Sequence, residues 1–265
     1  MKLCANLSLL FTEVPLLERI GAAAKAGFEG VEIQFPYDVP AEQLKAALDA
    51  AGLPLVLINL PAGDLMRGGP GLAAVPELQG EFDAALAQAL EYARIVKPQH
   101  VNVLAGRLVE GLDREVALQT LAARLRATCD AFAGSGTDVL MEAINCHDMK
   151  GFLLNTPEHL QDMLERVARE NLRAQLDLYH MARMGLELVD CIYALMGQIG
   201  HVQFADYPER SEPGSGETDF EAPLQVLGDV GYDGWLGAEY RPTGTTADSL
   251  RWLPAWRSSL AAQAL

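Results

Sequence analysis

The stretch TDVLMEAINCHDMKGFLLNTPEHLQDMLERVARENLRAQLDL, residues 137–178, contains one full structural period. TDVLMEAI (137–144) is a short apolar run of strand length. TPEHLQDMLERVARE (156–170) has helical spacing, with Thr156 as N-cap, Pro157 at the first helical position and acids early in the helix. LRAQLDL (172–178) is a second apolar run. The period is therefore strand, loop, helix, strand.

The same alternation extends outward to both ends. Further runs are LCANLS (3–8), GVEIQF (30–35), LPLVLINL (53–60), HVNVL (100–104), IGHVQFAD (199–206) and GWLGAEY (234–240). Between them lie helical segments such as PLLERIGAAAKAG (15–27), closed by Gly27 as a C-cap, and EFDAALAQALEYARIV (81–96). Eight runs in 265 residues give about 33 residues each, the size of a βα repeat. The expected fold is an α/β protein, a (β/α)8 TIM barrel forming one domain over residues 1–265. A doubly wound open sheet shares the local alternation, but no G-x-G-x-x-G follows the first strand. The longest irregular segment, LPAGDLMRGGPGLAAVPELQG (60–80), follows the third run and should lie over the catalytic face of such a barrel.

Composition narrows the function. Half of the residues are hydrophobic, 21% are charged, and 20 basic against 36 acidic residues leave a net charge of −16. That balance speaks against nucleic acid, whose phosphates draw on clustered Lys and Arg, and against an anionic membrane surface. Cys4, Cys129, Cys146 and Cys191 form no C-x-x-C pair, so neither a disulfide framework nor a structural zinc knuckle is expected. MKLCANLSLLFTEV superficially suggests a signal peptide, but Asn6, Ser8, Thr12 and Glu13 interrupt it. No run of about 18 apolar residues could span a bilayer. The expected setting is a reduced cytoplasm.

In a barrel, chemistry collects at the strand C-terminal ends. Glu142, Asp177, Gln203 and Glu239 end the fifth to eighth runs, 35, 26 and 36 residues apart. Acids inside apolar strands are costly unless paired, hydrogen-bonded or metal-bound. A rim acid paired with an arginine is the plain alternative for any one of them; four at consecutive strand ends argue for a shared site. Three carboxylates and an amide oxygen suit a hard divalent cation, Mg²⁺ or Mn²⁺. His180, three residues after Asp177, faces the same ligand or is a structural histidine. His201 shares a strand face with Gln203 and reads as a packed core histidine, while His100 and His159 read as structural or exposed. Arg67, Arg107, Arg183, Arg210 and Arg241 fall in the expected top loops, where convergent arginines would hold an anionic substrate. Each taken alone reads as a solvated surface charge. The glycines of EPGSGETDF (212–220) resemble a phosphate loop, and helix-start geometry at Thr218 and Asp219 explains them equally well.

ANLSLLF (5–11), GFEGVEIQFPYD (27–38), NLPAGD (59–64), QLDLYHMARMGLE (175–187), IGHVQFADYPERSEPGSGE (199–217) and GAEYRP (237–242) together closely resemble the hydroxypyruvate isomerase family. More broadly they resemble the xylose isomerase-like barrels, which include sugar epimerases and endonuclease IV. The resemblance implies one divalent metal held by Glu142, Asp177, Gln203 and Glu239, with Glu142 and Glu239 doubling as the acid/base pair. It further implies that His180 and Arg210 contact substrate oxygens. The substrate carboxylate needs an Arg or Lys from the loops, for which Arg107 and Lys150 are the candidates. The implied partner is a small hydroxy-oxo acid or sugar, with a homo-oligomer (dimer or tetramer) compatible. Two places depart from the family pattern: Ile58 stands where a histidine is usual before N-L-P-A-G-D, and the loop after Glu142 reads INCHDMKGF. They leave the metal residues intact, so Ile58, Cys146, His147 and Lys150 are the expected discriminators among substrates. A barrel that binds a sugar acid without catalysis fits poorly with metal-competent oxygen groups at four strand ends. An endonuclease is disfavoured by the charge and by too few histidines for a multi-zinc cluster.

Overall fold

The computed structural model describes residues 1–263; residues 264 and 265, the end of the expected domain, lie outside it. Eight parallel strands close in sequence order: β1 Lys2–Asn6, β2 Gly30–Ile33, β3 Leu55–Asn59, β4 His100–Asn102, β5 Asp138–Glu142, β6 Leu172–Asp177, β7 Ile199–Phe204 and β8 Trp235–Ala238. Seven fall inside one of the eight apolar runs, and β1 starts one residue before its run, at Lys2. Strands of such a barrel face the interior on one side and the helices on the other, so nearly every position is apolar or buried. The closed barrel replaces the open-sheet alternative, because β1 pairs with β8. Among the described residues no helix is long and apolar enough to cross a membrane.

Local signals fix most helix ends. The side chain of Thr156 accepts from the His159 N–H at the start of helix Pro157–Val167, and Gly27 closes helix Leu16–Ala26 at φ 95°. Helical spacing overran in one place: the helix stops at Val167, not residue 170, because Ala168 turns left-handed (φ 50°) and closes onto the Leu164 carbonyl. The 60–80 segment does follow β3 and reaches the top of the barrel, with short 3₁₀ turns at Leu65–Arg67 and Pro76–Leu78. Arginines clamp it. Arg124 donates to the carbonyls of Leu72 and Pro76, and Arg107 to those of Leu65 and Gly69.

Most buried apolar residues form one continuous core. A separate small cluster of strand residues, Cys4, Val56, Leu57, Leu140 and Trp235, stands apart from it. Register sets the upper rim: Glu142 pairs with Gln175, Asp177 with Gln203, and Gln203 with Gly237.

His100, at the start of β4, is buried with Nδ1 lacking a hydrogen-bond partner. Burial, helped by the nearby His201, lowers its pKa from the ordinary 6.5 to about 3. The unfolded chain therefore takes up this proton as pH falls through 6.5, while the folded chain does not. Stability is complete above that pH and declines below it by about 1.4 kcal/mol per unit. Urea unfolding of wild type and His100→Gln between pH 7.5 and 5 should show their stability difference shrinking by roughly 2 kcal/mol. Parallel curves would exclude His100 as the source.

Candidate active site

The four strand-end residues converge. Glu142 closes β5, Asp177 closes β6, Gln203 lies one residue before the end of β7, and Glu239 directly follows β8; all four are buried. Glu142, Gln203 and Glu239 line a cavity of about 260 Å³ at the top of the barrel, together with Gln34, Asn59, Met66, Asp148, Gln175 and Arg241. A space this small suits a compact polar metabolite.

Asp177 does two things at once. Its Oδ1 accepts from the N–H groups of Tyr179 (2.8 Å) and His180 (3.4 Å), capping the short helix Leu178–Arg183. Its Oδ2 is buried without a hydrogen bond and faces His180 Nε2 at 3.5 Å and Arg210 Nη2 at 3.6 Å. The cap explains the D-x-x-H spacing, since one helical turn after the strand returns His180 to the carboxylate. Asn145 fixes the imidazole. Its Oδ1 accepts from the His147 and Asp148 N–H groups, so Nδ2 donates to His180 Nδ1 at 2.7 Å. The proton then sits on Nε2, aimed at Asp177 and at Glu142 Oε1, 3.7 Å away. Burial holds the His180 pKa down to about 4, so it is a neutral donor at pH 7.

Glu142 accepts from Asn102 Nδ2 at 3.0 Å, and Glu239 from Gln34 Nε2 at 2.7 Å and Arg210 Nη2 at 2.9 Å. Burial, then repulsion from Glu239 and Asp177, raises the Glu142 pKa well above the carboxylate range. Burial raises Glu239 to about 8 against the opposing pull of Arg210. Three buried carboxylates share one guanidinium. That surplus of negative charge, the unpaired Asp177 Oδ2, and ligand atoms of Glu142, Asp177 and His180 within 4.8 Å of one another fit a divalent cation. His180, expected at the substrate, lines the cavity and also lies in this cluster. A second trio, Cys4, Glu32 and His201, is equally close but closed by hydrogen bonds: Glu32 Oε2 takes His201 Nε2 at 2.7 Å and Cys4 Sγ at 3.5 Å.

Glu32 is the residue sequence reasoning missed. Fully buried on β2, it also accepts from Asn6 Nδ2 (2.8 Å) and Gln203 Nε2 (2.7 Å), while Gln175 Nε2 donates to Gln203 Oε1 at 2.6 Å. These donors hold its pKa below the usual value despite burial. The signal was available in GVEIQF, an acid within an apolar strand. His201 is buried as expected, but as a partner of Glu32 rather than through apolar packing alone. Asn102 and Gln34 carried the same signal, being polar groups at or just past the ends of β4 and β2.

The arginines and the glycine loop take distinct roles. Arg210 enters the cluster and stacks over the Tyr179 ring at 5.1 Å, with its Nε buried and unpartnered. Arg107 lines the cavity, but Nη1 is tied to the Leu65 and Gly69 carbonyls. Arg183 pairs with Asp148 at 3.5 Å. Lys150, Cys146 and His147 are exposed and Ile58 is buried; none lines the cavity, whereas Asp148 and Met149 of that loop do. The 212–220 loop is no phosphate cradle. Its Gly214, Gly216 and Thr218 N–H groups bind the buried Asp206 carboxylate at 2.8–2.9 Å. A Cβ at Gly216 would stand 2.1 Å from the Tyr207 carbonyl, so only glycine permits this wrap. The loop holds its own anion and carries Arg210 into the site.

The chain matches the xylose isomerase-like TIM barrel family over residues 20–256. A hydroxypyruvate isomerase of Escherichia coli is 38% identical over 97% of this chain and 100% of its own length. A 2-oxo-tetronate isomerase of Cupriavidus necator is 38% identical over 95% of this chain and 97% of its own. The crystal structure of a family 2 AP endonuclease from Brucella melitensis superposes with a TM-score of 0.92 at 38% identity, covering 96% of this chain and 98% of that one.

Truncating Glu32 to Ala strands the buried N–H donors of Asn6, His201 and Gln203. Losing one partner of a buried charged network costs about 3–5 kcal/mol. Urea unfolding of Glu32→Ala should show a loss of that size, with Glu32→Gln milder. An unfolding midpoint equal to wild type would mean that water or a shifted side chain satisfies the donors.

Proposed function

The chain belongs to the xylose isomerase-like TIM barrel family, among the isomerases that include the hydroxypyruvate and 2-oxo-tetronate enzymes, and from that premise we propose that it interconverts hydroxypyruvate and tartronate semialdehyde (2-hydroxy-3-oxopropanoate) through an enediolate. The observation that carries this reading is the meeting of three buried carboxylates, one guanidinium and one neutral imidazole beside a small cavity that Glu142, Glu239, His180 and Arg210 line. A divalent cation, Mg²⁺ or Mn²⁺, held by Glu142, Asp177, Gln203 and Glu239 would polarise adjacent carbonyl and hydroxyl oxygens as a Lewis acid. Gln203 suits that part, because its amide orientation is fixed by donation to Glu32 and its oxygen keeps a second lone pair beside the bond from Gln175.

Glu142 and Glu239 are the acid/base pair. One takes a proton from the hydroxymethyl carbon; the electrons left behind form the C=C bond of the enediolate as the carbonyl oxygen gains negative charge. The proton is returned at the former carbonyl carbon, while the proton of the terminal hydroxyl passes to the former carbonyl oxygen, leaving an aldehyde at the terminal carbon and a hydroxyl beside it. Carboxyl groups raised towards neutrality by burial are matched to both halves of that transfer. The His180 Nε2–H and the unpartnered Arg210 Nε–H are donors for substrate oxygens as charge develops on them.

The same chemistry serves 2-oxo-tetronate isomerisation and ketose 3-epimerisation. The 2-oxo-tetronate isomerase relative makes the four-carbon acid the second reading. Nucleic acid has no part in it, since a net charge of −16 repels phosphate. The protein acts in the cytoplasm on a freely diffusing acid.

A panel of hydroxypyruvate, 2-oxo-tetronate and C5–C6 ketoses should give the highest kcat/KM on a hydroxy-oxo acid, abolished by EDTA and restored by Mg²⁺ or Mn²⁺. Both acids left unchanged by the metal-loaded protein would end this reading.

Glu142→Gln and Glu239→Gln should fold, keep part of their metal affinity, and lose roughly 10²–10⁴-fold in kcat. Wild-type product formed in deuterium oxide should carry solvent deuterium at carbon. Asp177→Asn should first weaken Mn²⁺ binding, read by calorimetry, with activity partly recovered at excess metal. A wild-type rate in either glutamine variant removes that glutamate from the chemistry.

A further inference from the structure

We propose that Arg241 receives the substrate carboxylate and thereby sets the preference for an acid over a neutral ketose; this rests on the reading of the site as a hydroxy-oxo-acid isomerase. Of the basic side chains in the upper loops, only Arg107, Arg210 and Arg241 line the cavity. Arg107 Nη1 is held by the carbonyls of Leu65 and Gly69. Arg210 is committed to Glu239 at 2.9 Å and to Asp177 at 3.6 Å. Arg241 is exposed, and no hydrogen bond or ion pair joins its guanidinium to another described residue. It is the one cation of the three whose guanidinium has no hydrogen bond or ion pair to another described residue.

Its position follows from the chain. Glu239, Tyr240 and Arg241 continue outward past β8. Residues two apart on an extended segment face the same side. Tyr240 is fully buried on the opposite side, its hydroxyl 2.8 Å from Ser249 Oγ, while Glu239 and Arg241 both line the cavity. Arg241 therefore stands about 6–7 Å above Glu239, towards the rim. Its backbone is pinned there by donation of its N–H to the Arg210 carbonyl at 2.8 Å.

The chemistry demands a cation at that height. With the reacting carbons of a 2-oxo acid against Glu142 and Glu239, its carboxylate is repelled by those acids and must point outward. A guanidinium presents two parallel N–H donors that match a carboxylate, and at the mouth of an acidic protein it offsets the repulsion of an anionic substrate.

The test compares wild type, Arg241→Gln and Arg241→Lys on hydroxypyruvate and on dihydroxyacetone, which has a hydroxymethyl group in place of the carboxylate. Arg241→Gln should lower kcat/KM for the acid by about 10- to 100-fold, the size of a lost charge-assisted hydrogen bond. The loss should fall mainly on KM, the acid-over-neutral ratio should drop by a similar factor, and Arg241→Lys should retain part of it. Calorimetric titration with glycerate, an acid without a carbonyl to isomerise, should show the same weakening without turnover. An unchanged KM for the acid and an unchanged glycerate Kd in Arg241→Gln would overturn the assignment. If wild type turned over only ketoses, the proposed reaction would fall; glycerate binding lost in Arg241→Gln would still establish the carboxylate site.

Discussion

Three carboxylates buried within reach of one another are the constraint around which this barrel is built. Two like charges about 4 Å apart repel by roughly 4 kcal/mol even at an effective dielectric constant of 20. Glu142, Asp177 and Glu239 are each buried as well. The surrounding parts counter that repulsion. Asn102 and Gln34 donate neutral hydrogen bonds, His180 is fixed as a donor by Asn145, and Arg210 supplies one positive charge. Arg210 reaches the cluster from a loop organised by the backbone donors around Asp206, so a structural carboxylate outside the site delivers the cation inside it.

The same constraint shapes the barrel interior. Layers of branched apolar side chains commonly fill such a core. Here a ladder of polar groups crosses it, from His201 through Glu32 to Gln203 and Gln175, above a small apolar cluster that includes Trp235. Every rung is a donor meeting an acceptor, which allows a charge to lie that deep. The ladder fixes how Gln203 presents its amide. A wholly apolar interior would leave that side chain free to rotate.

Above the cluster, the long loop after β3 is clamped rather than loose. Guanidinium-to-carbonyl bonds from Arg107 and Arg124 hold it at both ends, and it brings Leu65 and Met66 to the cavity wall. Arginines that look alike in the sequence thus divide into clamps, a partner for the carboxylates, and a free cation at the rim.

Periodicity and desolvation cost made much of this legible. Eight apolar runs could only be strands buried on both faces, and Glu142, Asp177 and Glu239 stood out as acids that such runs do not tolerate without a shared reason. Thr156 and Gly27 marked helix ends through local hydrogen bonds, which depend only on neighbouring residues. Pairings across the closed barrel decided the rest. Glu32 looked like one more polar residue until closure brought His201, 169 positions away, to its carboxylate. The glycines at 214 and 216 read equally as a cradle for a foreign anion or as part of a helix start, because the sequence does not say that Asp206 folds back among them. Arg107, Arg210 and Arg241 share one chemistry, and only the path of each loop determines which charges are already neutralised. Local sequence sets the elements and the desolvation costs; long-range closure alone chooses the partners, because a side chain's partner depends on which distant backbone is brought opposite it.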